Sequence, residues 1–360
     1  MNPSANPPVI PQKAPPELVL ARLRGASRVL ITSHVNPDGD AVGSSIGLAR
    51  LLRRMGKSVV IWLRDAPPRL YSPLAGVDRI HVGSEPPASF PDSFDLAVVL
   101  ECPSLDRCGL EDKLALLPML NIDHHLGNRN YGAVNWIDTA SPAVGEMVFR
   151  IAVALHAAIE VETANALYLA LFTDTGGFRF GNSSPEAFEA AAALVRAGAQ
   201  PDRVACWLYE SQPLAGVLLH GELTRTIELH HRGQVATAWL RREMIEKTGA
   251  GPGDSEGLID LPRSIAGVEA VALFRELEGG GYKVSLRSRG AIDVEKVARQ
   301  QGGGGHHNAA GFKSPLDAEA LHAATVAALA AAVDAAPPSS AADSASAPKE
   351  RQTEQPHEHF

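Results

Sequence analysis

The chain has 360 residues, 45% of them hydrophobic, and a formal net charge of −8. That length suits two domains of about 150 residues each, and the apolar content excludes a globally disordered chain. The acidic balance excludes a broad, non-specific nucleic-acid binder, which would carry a basic face, but not a pocket that grips a short phosphorylated ligand.

Residues 1–17 are proline-rich without the apolar core of a signal peptide, and are expected to be a disordered tail. Arg28 to Thr32 reads as a strand, and Ala41 to Met55 as an amphipathic helix closed by Gly56. Strands follow at Lys57 to Leu63, Leu96 to Leu100 and Met119 to Ile122. Helices are expected at Ser141 to Ala154, Asn165 to Phe172 and Pro185 to Ala197, the second running into a loop at Thr173. This alternation predicts an α/β domain over 18–199 with an open, mostly parallel sheet. A helical connector spans 200–226. The pattern then changes to strands at Thr226 to His230, Val235 to Leu240, Val268 to Glu276 and Tyr282 to Ser288, with a helix at Asp293 to Gln300. This predicts a smaller α+β domain over 227–335. The stretch 336–360, with His357 and His359, reads as a disordered tail. No run of about 18 uninterrupted apolar residues suggests a membrane span. Cys102, Cys108 and Cys206 are odd in number and lack metal-finger spacing, which fits a reduced, cytoplasmic compartment. Cys102 reads as a small buried hydrophobe.

The chemistry gathers where strands end, the place where open α/β sheets hold ligands. His34, Asp38 and Asp40 share one Pro- and Gly-containing loop after the first strand, so the loop can aim all three at two neighbouring cation positions. Imidazole mixed with hard carboxylates suits Mn²⁺, with Mg²⁺ or Co²⁺ as alternatives. Two such ions about 3.5–4 Å apart can generate hydroxide and neutralise a phosphoryl group. The plainer reading is that His34 closes a turn while Asp38 and Asp40 cap the helix. Glu101, Asp123-His124-His125 and Asp174 each recur in the same setting. One histidine can ligate while its neighbour, His125, polarises a phosphate oxygen, and Asp123 can hold His124 in its tautomer. Asp174 alone would fit an Asx-turn.

In this order, His34-x3-Asp38-x-Asp40, Glu101, Asp123-His124-His125 and Thr173-Asp174-Thr175-Gly176 resemble the four motifs of the DHH phosphoesterase superfamily. Gly302 to Gly305 with His306, followed by Ala309-Ala310-Gly311, resembles the signature of its associated DHHA1 domain. The resemblance covers about residues 18–335. The modest length is similar to the subfamily of bifunctional oligoribonucleases and PAP phosphatases, which act on nanoRNA and 3′-phosphoadenosine 5′-phosphate.

The resemblance implies two divalent ions, one held by His34 and Asp38 and the other by Asp40, His124 and Asp174. The family aspartate that bridges them is replaced in this chain by Glu101. Glutamate can bridge, but its additional methylene changes reach, and Asp106 is a poorer fallback beyond Pro103. Asp123 and His125 would serve catalysis. In the second domain, Arg287 would clamp a phosphate, with Arg289 as the alternative, and the backbone of Gly303, Gly304 and Gly305 with His306 would hold the nucleotide. His307 reads as an exposed neighbour, and His230 and His231 as structural. The expected substrates are short 5′-phosphorylated RNAs, dinucleotides and 3′-phosphoadenosine 5′-phosphate, not long duplexes, with the second domain acting as a ruler. The direction of cleavage stays open. The alternatives are hydrolysis of linear dinucleotides from cyclic dinucleotide signalling and a weakened nucleotide-binding regulator. The helical stretch Leu208 to Leu219 suits either a homodimer interface or the connector.

Overall fold

The computed structural model describes residues 14–255 and 257–337, without the side chains of residues 252, 253 and 306. The two expected tails beyond those limits, with His357 and His359, lie outside the described residues, as does the side chain of His306. The chain divides into two compact units, up to Ser211 and from Gln212.

In the first unit, helix α1 (Glu17–Gly25) leads to strand β1 (Arg28–Thr32), then α2 (Gly39–Arg54), β2 (Ser58–Leu63), β3 (His81–Val82) and β4 (Leu96–Leu100). After these come the short α3 (Glu111–Leu114), β5 (Met119–Asp123), β6 (Val134–Ile137), α4 (Val144–Ala154), α5 (Val161–Asp174), α6 (Pro185–Arg196) and α7 (Pro201–Tyr209). The six strands form one parallel sheet in the order β3-β2-β1-β4-β5-β6. Strand alternation feeds two cores. Val29 and Ile31 of β1, with Leu96, Val98 and Leu100 of β4, face the core that contains α2, α4 and α5. Leu30, Ala97 and Val99 face the opposite core with Trp62 and Leu114. A strand buried on both faces reads as the unbroken apolar run LAVVL, as expected for a parallel sheet.

The chain leaves β1 toward β2 on one side, while β4 pairs on β1's other side, so the order reverses between β1 and β4. A reversal of this kind opens a crevice at the carboxyl ends of the two strands. Above it, α2 and α5 approach closely because Gly39, Gly43 and Gly47 repeat every fourth residue on one helix face. A Cβ at Gly43 would lie 2.4 Å from the Ala166 carbonyl oxygen.

The second unit contains α8 (Leu214–Thr224), β7 (Glu228–His230), β8 (Val235–Leu240), α9 (Arg242–Thr248), the short α10 (Asp260–Arg263), β9 (Ala270–Glu276) and β10 (Tyr282–Ser288). It ends with α11 (Val294–Gln300), β11 (Gly304–His306), β12 (Ala309–Ser314) and α12 (Ala318–Ala335). Its sheet order is β11-β12-β10-β9-β8-β7, antiparallel except for the parallel pair β8–β9. Among the described residues α12 alone is long and apolar enough to cross a membrane by length and composition. It places Leu321, Leu329 and Val333 in the core beneath the sheet.

The α/β reading with a mostly parallel first sheet and a second, mixed sheet therefore holds. The expected connector is divided instead, α7 falling in the first unit and α8 in the second. Asp174 is the last residue of α5 and not part of a loop. The glycine run is partly strand: Gly304 and Gly305 pair with Gly311 and Ala310. Gly303 and Gly305 also sit where a Cβ would collide with β12, at 2.2 Å from the Gly311 carbonyl oxygen and 2.5 Å from the Ala309 carbonyl oxygen.

Candidate metal centre

His34, Asp38, Asp40, Glu101, Asp123, His124, His125 and Asp174, the candidate site residues of the first unit, gather at that crevice. His34 and Asp38 follow β1, Glu101 follows β4, Asp123 ends β5 with His124 and His125 beyond it, Asp40 opens α2 and Asp174 ends α5. Three sets of donor atoms each lie within 4.8 Å of one another: His34, Asp38 and Glu101; Asp40, His124 and Asp174; and Glu101, His124 and His125. Glu101 thus belongs to two sets and links the first to the histidine pair. Its backbone is in the left-handed region, with φ of 56°, which bulky residues rarely adopt. Such backbone strain persists only where surrounding structure over-determines it, in this case through the Glu101 amide donating to the Ile122 carbonyl at 3.0 Å.

Local hydrogen bonds fix each ring. The His34 Nδ1 donates to the Val35 carbonyl at 2.8 Å, which turns Nε2 toward Glu101 Oε2, 2.7 Å away. With Nδ1 committed as donor, Nε2 of the neutral ring offers a lone pair to a carboxylate oxygen. Two acceptors that close require a proton or a cation between them. His124 repeats the arrangement: Nδ1 donates to the Ser141 carbonyl at 3.1 Å, and Nε2 faces Glu101 Oε1 at 3.6 Å and Asp174 Oδ2 at 3.8 Å. Asn182 steadies Asp174 by donating to its carbonyl and its Oδ2 at 3.1 and 3.3 Å.

Two roles differ from those expected. Asp38, not Asp40, caps α2, accepting from the Ala41 amide at 3.0 Å. Asp40 instead accepts from the Val144 and Gly145 amides at 2.6 and 2.9 Å, so it holds the N-terminus of α4, which lacks a side-chain cap of its own. Asp123 orients His125 and not His124: its Oδ1 accepts from His125 Nδ1 at 2.8 Å, and from the His124 amide at 2.9 Å. Asn128 donates to the other Asp123 oxygen at 2.6 Å. Neither Asn128 nor Asn182 stood out in the sequence, because a lone loop asparagine carries no signal until its partner's position is known. Asp106 is exposed and pairs with Arg129 at 3.8 Å, away from the cluster. Cys102 is buried as expected, its Sγ 3.3 Å from that of Cys108.

The electrostatics are those of a buried carboxylate cluster. Burial lowers the His34 pKa, but hydrogen bonds with Asp38 and Glu101 outweigh it and push it up to about 11. His124 is likewise pushed up to about 11, burial being overcome by Glu101, Asp174 and Asp40. Burial, with repulsion from Glu101 and Asp38, raises Asp174 to about 7. Asp40 is raised well above the carboxylate range by burial and by Asp174 and Glu101. Burial also opposes ionisation of Glu101, yet hydrogen bonds with His124 and His34 hold it below the usual range. Among the described residues its ion-pair partners are three imidazoles. The protein groups alone thus balance their charge with protons on imidazole, and a divalent cation at each of the sets His34–Asp38–Glu101 and Asp40–His124–Asp174 would take those protons' place. Mixed imidazole and carboxylate donors with fixed tautomers fit such ions.

In the second unit, Arg287 is partly buried, with Nη1 donating to the Leu286 carbonyl at 2.9 Å and its pKa lowered by that burial. Arg289 donates to the Arg263 carbonyl at 2.7 Å. His307 is half-exposed, 3.6 Å from Asp293, and His231 pairs with Asp334 at 2.8 Å.

Comparison with known proteins agrees with this geometry. Residues 28–171 match the DHH family N-terminal domain, and residues 232–334 match the DHHA1 domain. The chain is 33% identical over 283 residues to the bifunctional oligoribonuclease and PAP phosphatase NrnA of Thermus thermophilus, covering 79% of this chain and 83% of that protein. Its counterpart of the same name from Bacillus subtilis is 26% identical over 288 residues, covering 79% and 88%. The crystal structure of an exopolyphosphatase-related protein from Bacteroides fragilis superimposes with a TM-score of 0.82 at 27% identity, over 87% of this chain and 96% of that one. With both family domains in order and the motif residues of the first drawn into one crevice, the chain belongs to the DHH family with a DHHA1 domain, and is a hydrolytic phosphoesterase.

Proposed function

We propose that the chain degrades short 5′-phosphorylated oligoribonucleotides to mononucleotides and converts 3′-phosphoadenosine 5′-phosphate to AMP, with two divalent ions, preferably Mn²⁺. The observation that carries the reading is the pairing of two donor sets, His34–Asp38–Glu101 and Asp40–His124–Asp174, around one crevice. The two NrnA relatives supply the substrate class. The ions, when bound, supply Lewis acidity and a water of lowered pKa.

The protein's own groups do the rest. Asp123 holds the His125 ring by Nδ1, leaving Nε2 to face the cluster 3.6 Å from Glu101 Oε1. Hydrogen bonding to Asp123 and the charge of Glu101 raise the His125 pKa against the effect of burial. A cationic ring at that place donates a hydrogen bond to a non-bridging phosphate oxygen as negative charge develops. Asp40 anchors α4 and so fixes the position of its own carboxylate. Arg287, the backbone of Gly303 to Gly305 and His306 supply the nucleotide contacts of the second unit in this reading.

The test is to incubate the protein with Mn²⁺ and 5′-phosphorylated RNAs of graded length, a linear dinucleotide among them, with 3′-phosphoadenosine 5′-phosphate in parallel. Mononucleotides released chiefly from the shortest RNAs, with AMP from the bisphosphate, support the assignment. Turnover of the linear dinucleotide alone would replace it with the dinucleotide phosphodiesterase, and no turnover of any of them would refute it.

A further inference from the structure

A second cluster of metal-type donors stands apart from the crevice, within the second unit. Glu228 and His230 are two residues apart on β7, so their side chains emerge on the same face of the strand. The register pairs Glu228 directly with Thr237 of β8, which places the Thr237 hydroxyl beside them. Helix α12 packs over β8 and adds His322, whose ring lies against Trp239 and Phe274 with centroids 5.9 and 5.5 Å away. Strand pairing, helix packing and two aromatic rings thus converge four polar side chains that sequence distance separates.

The donor atoms face one another at distances that a shared cation can span, within 4.8 Å for Glu228, His230 and His322. Thr237 Oγ1 lies 3.0 Å from His230 Nε2 and 3.1 Å from His322 Nε2. One hydroxyl can serve both rings, donating to one and accepting from the other, so these two contacts need nothing more. Glu228 stands outside that network. Its Oε2 is 3.7 Å from His230 Nε2 and 3.8 Å from His322 Nε2, too far for a hydrogen bond to either. Among the described residues these imidazoles are its ion-pair partners. One carboxylate oxygen equidistant from two imidazole nitrogens is the arrangement that a shared cation produces. Bonds of about 2.0–2.1 Å around a tetrahedral zinc put neighbouring donors about 3.3 Å apart. Four of the six edges among these donors, 3.0, 3.1, 3.7 and 3.8 Å, bracket that value.

We propose that Glu228, His230 and His322 form a further cation site, with Thr237 at its fourth corner, that takes a borderline divalent ion such as Zn²⁺. Two imidazoles with a single carboxylate favour zinc over Mn²⁺ or Mg²⁺, which seek oxygen-rich sets. Each histidine is about one-fifth exposed and Glu228 more than half, so an ion can enter from solvent. The site ties β7, the edge strand of its sheet, to α12 near the end of the described chain. An ion there stabilises the second unit and plays no part in the hydrolysis. His230, which the sequence offered only as a structural residue, thereby differs from its neighbour His231, which is turned to Asp334.

The test counts zinc in the full-length protein after dialysis against buffered free Zn²⁺, comparing wild type with His322→Gln, Glu228→Gln and the control His231→Gln. Ions bound at the crevice are a background common to all four. The expected result is one zinc equivalent fewer in His322→Gln and in Glu228→Gln and no change in His231→Gln. Titration with Co²⁺ should lose one equivalent of the visible absorption of a four-coordinate ion in the same two variants. Glu228 is too exposed to be needed for folding, so Glu228→Gln decides the matter should His322→Gln fail to fold. Equal zinc counts in wild type and Glu228→Gln would overturn the proposal.

Discussion

Substituting Gly43 by alanine tests whether the glycine face of α2 sets the spacing of the metal centre. The new Cβ would lie 2.4 Å from the Ala166 carbonyl oxygen, 2.9 Å from the Ala170 amide nitrogen and 3.0 Å from the Ala170 Cβ. Two of these three are backbone atoms of α5, which cannot rotate away, so the helices must separate. Overpacking of this kind costs about 1–3 kcal/mol, and backbone neighbours put it at the upper end. Replacing a helical glycine by alanine returns about 1 kcal/mol in propensity, leaving a net loss of about 1–2 kcal/mol. For a unit of this size that lowers Tm by about 2–8 °C. Gly47 is the internal control: its Cβ would meet the Leu167 side chain, nearest at 2.3 Å, and side-chain ends can shift. Gly47→Ala should therefore cost less than Gly43→Ala. The functional effect follows from the same displacement, since α2 carries Asp40 and α5 ends at Asp174. Moving the helices apart separates Asp40 from Asp174, two members of one donor set, while His34 and Glu101, which follow β1 and β4, stay together. Thermal unfolding and metal titration of both variants should show Gly43→Ala less stable and weakened at one of two ions. A Gly43→Ala protein as stable as wild type, or a Gly47→Ala protein more damaged than it, would refute the argument.

His125→Asn should lower kcat by about 10²–10³-fold while both metal equivalents remain, measured by steady-state kinetics beside metal analysis. Glu101→Asp withdraws the carboxylate from His34 Nε2, now 2.7 Å away, so metal affinity should fall by at least about tenfold, the size of effect seen on losing a ligand's supporting partner. A faster Glu101→Asp enzyme would show instead that the glutamate weakens catalysis. Metal binding should release protons at neutral pH and tighten as pH rises. His34 and His124, with pKa raised to about 11, and Asp174, raised to about 7, hold protons there that the ions must displace. Titration calorimetry in buffers of different ionisation enthalpy measures the release, and a buffer-independent heat would contradict it. Asp40→Ala should lose about 0.5–2 kcal/mol of stability even in the presence of a chelator, because the Val144 and Gly145 amides lose their acceptor.

The strands that matter for the site were legible because parallel burial leaves a plain trace: five apolar residues at β4 and a nearly apolar β1 can hardly be anything else. The polar residues that follow each strand were legible for a related reason, since His34, Glu101 and Asp123 interrupt apolar runs where solvent-facing loops begin. Helix ends were less legible. Propensity places the end of α5 near Thr173, whereas packing of α2 against it carries the helix through Asp174. The short strands β3, β6 and β11 carry two to four residues each, too few for a period to register.

What the sequence could not contain is which donor goes to which acceptor. Asp38 and Asp40 are both good capping residues at the start of one helix, and local chemistry alone assigns either of them to it. The assignment is decided by α4, about a hundred residues away, whose first amides converge on Asp40 and leave Asp38 to cap α2. Asp123 presents the same ambiguity between the His124 and His125 rings, settled by the Ser141 carbonyl, which accepts the hydrogen bond from His124 Nδ1 and leaves the carboxylate to the His125 ring. In both cases the deciding partner lies on α4 or the segment just before it. Val144, Gly145 and Ser141 therefore belong to the design of the centre although none carries a donor for the ions. The fold fixes that centre through backbone groups, which is why composition and spacing name its side chains without fixing their roles.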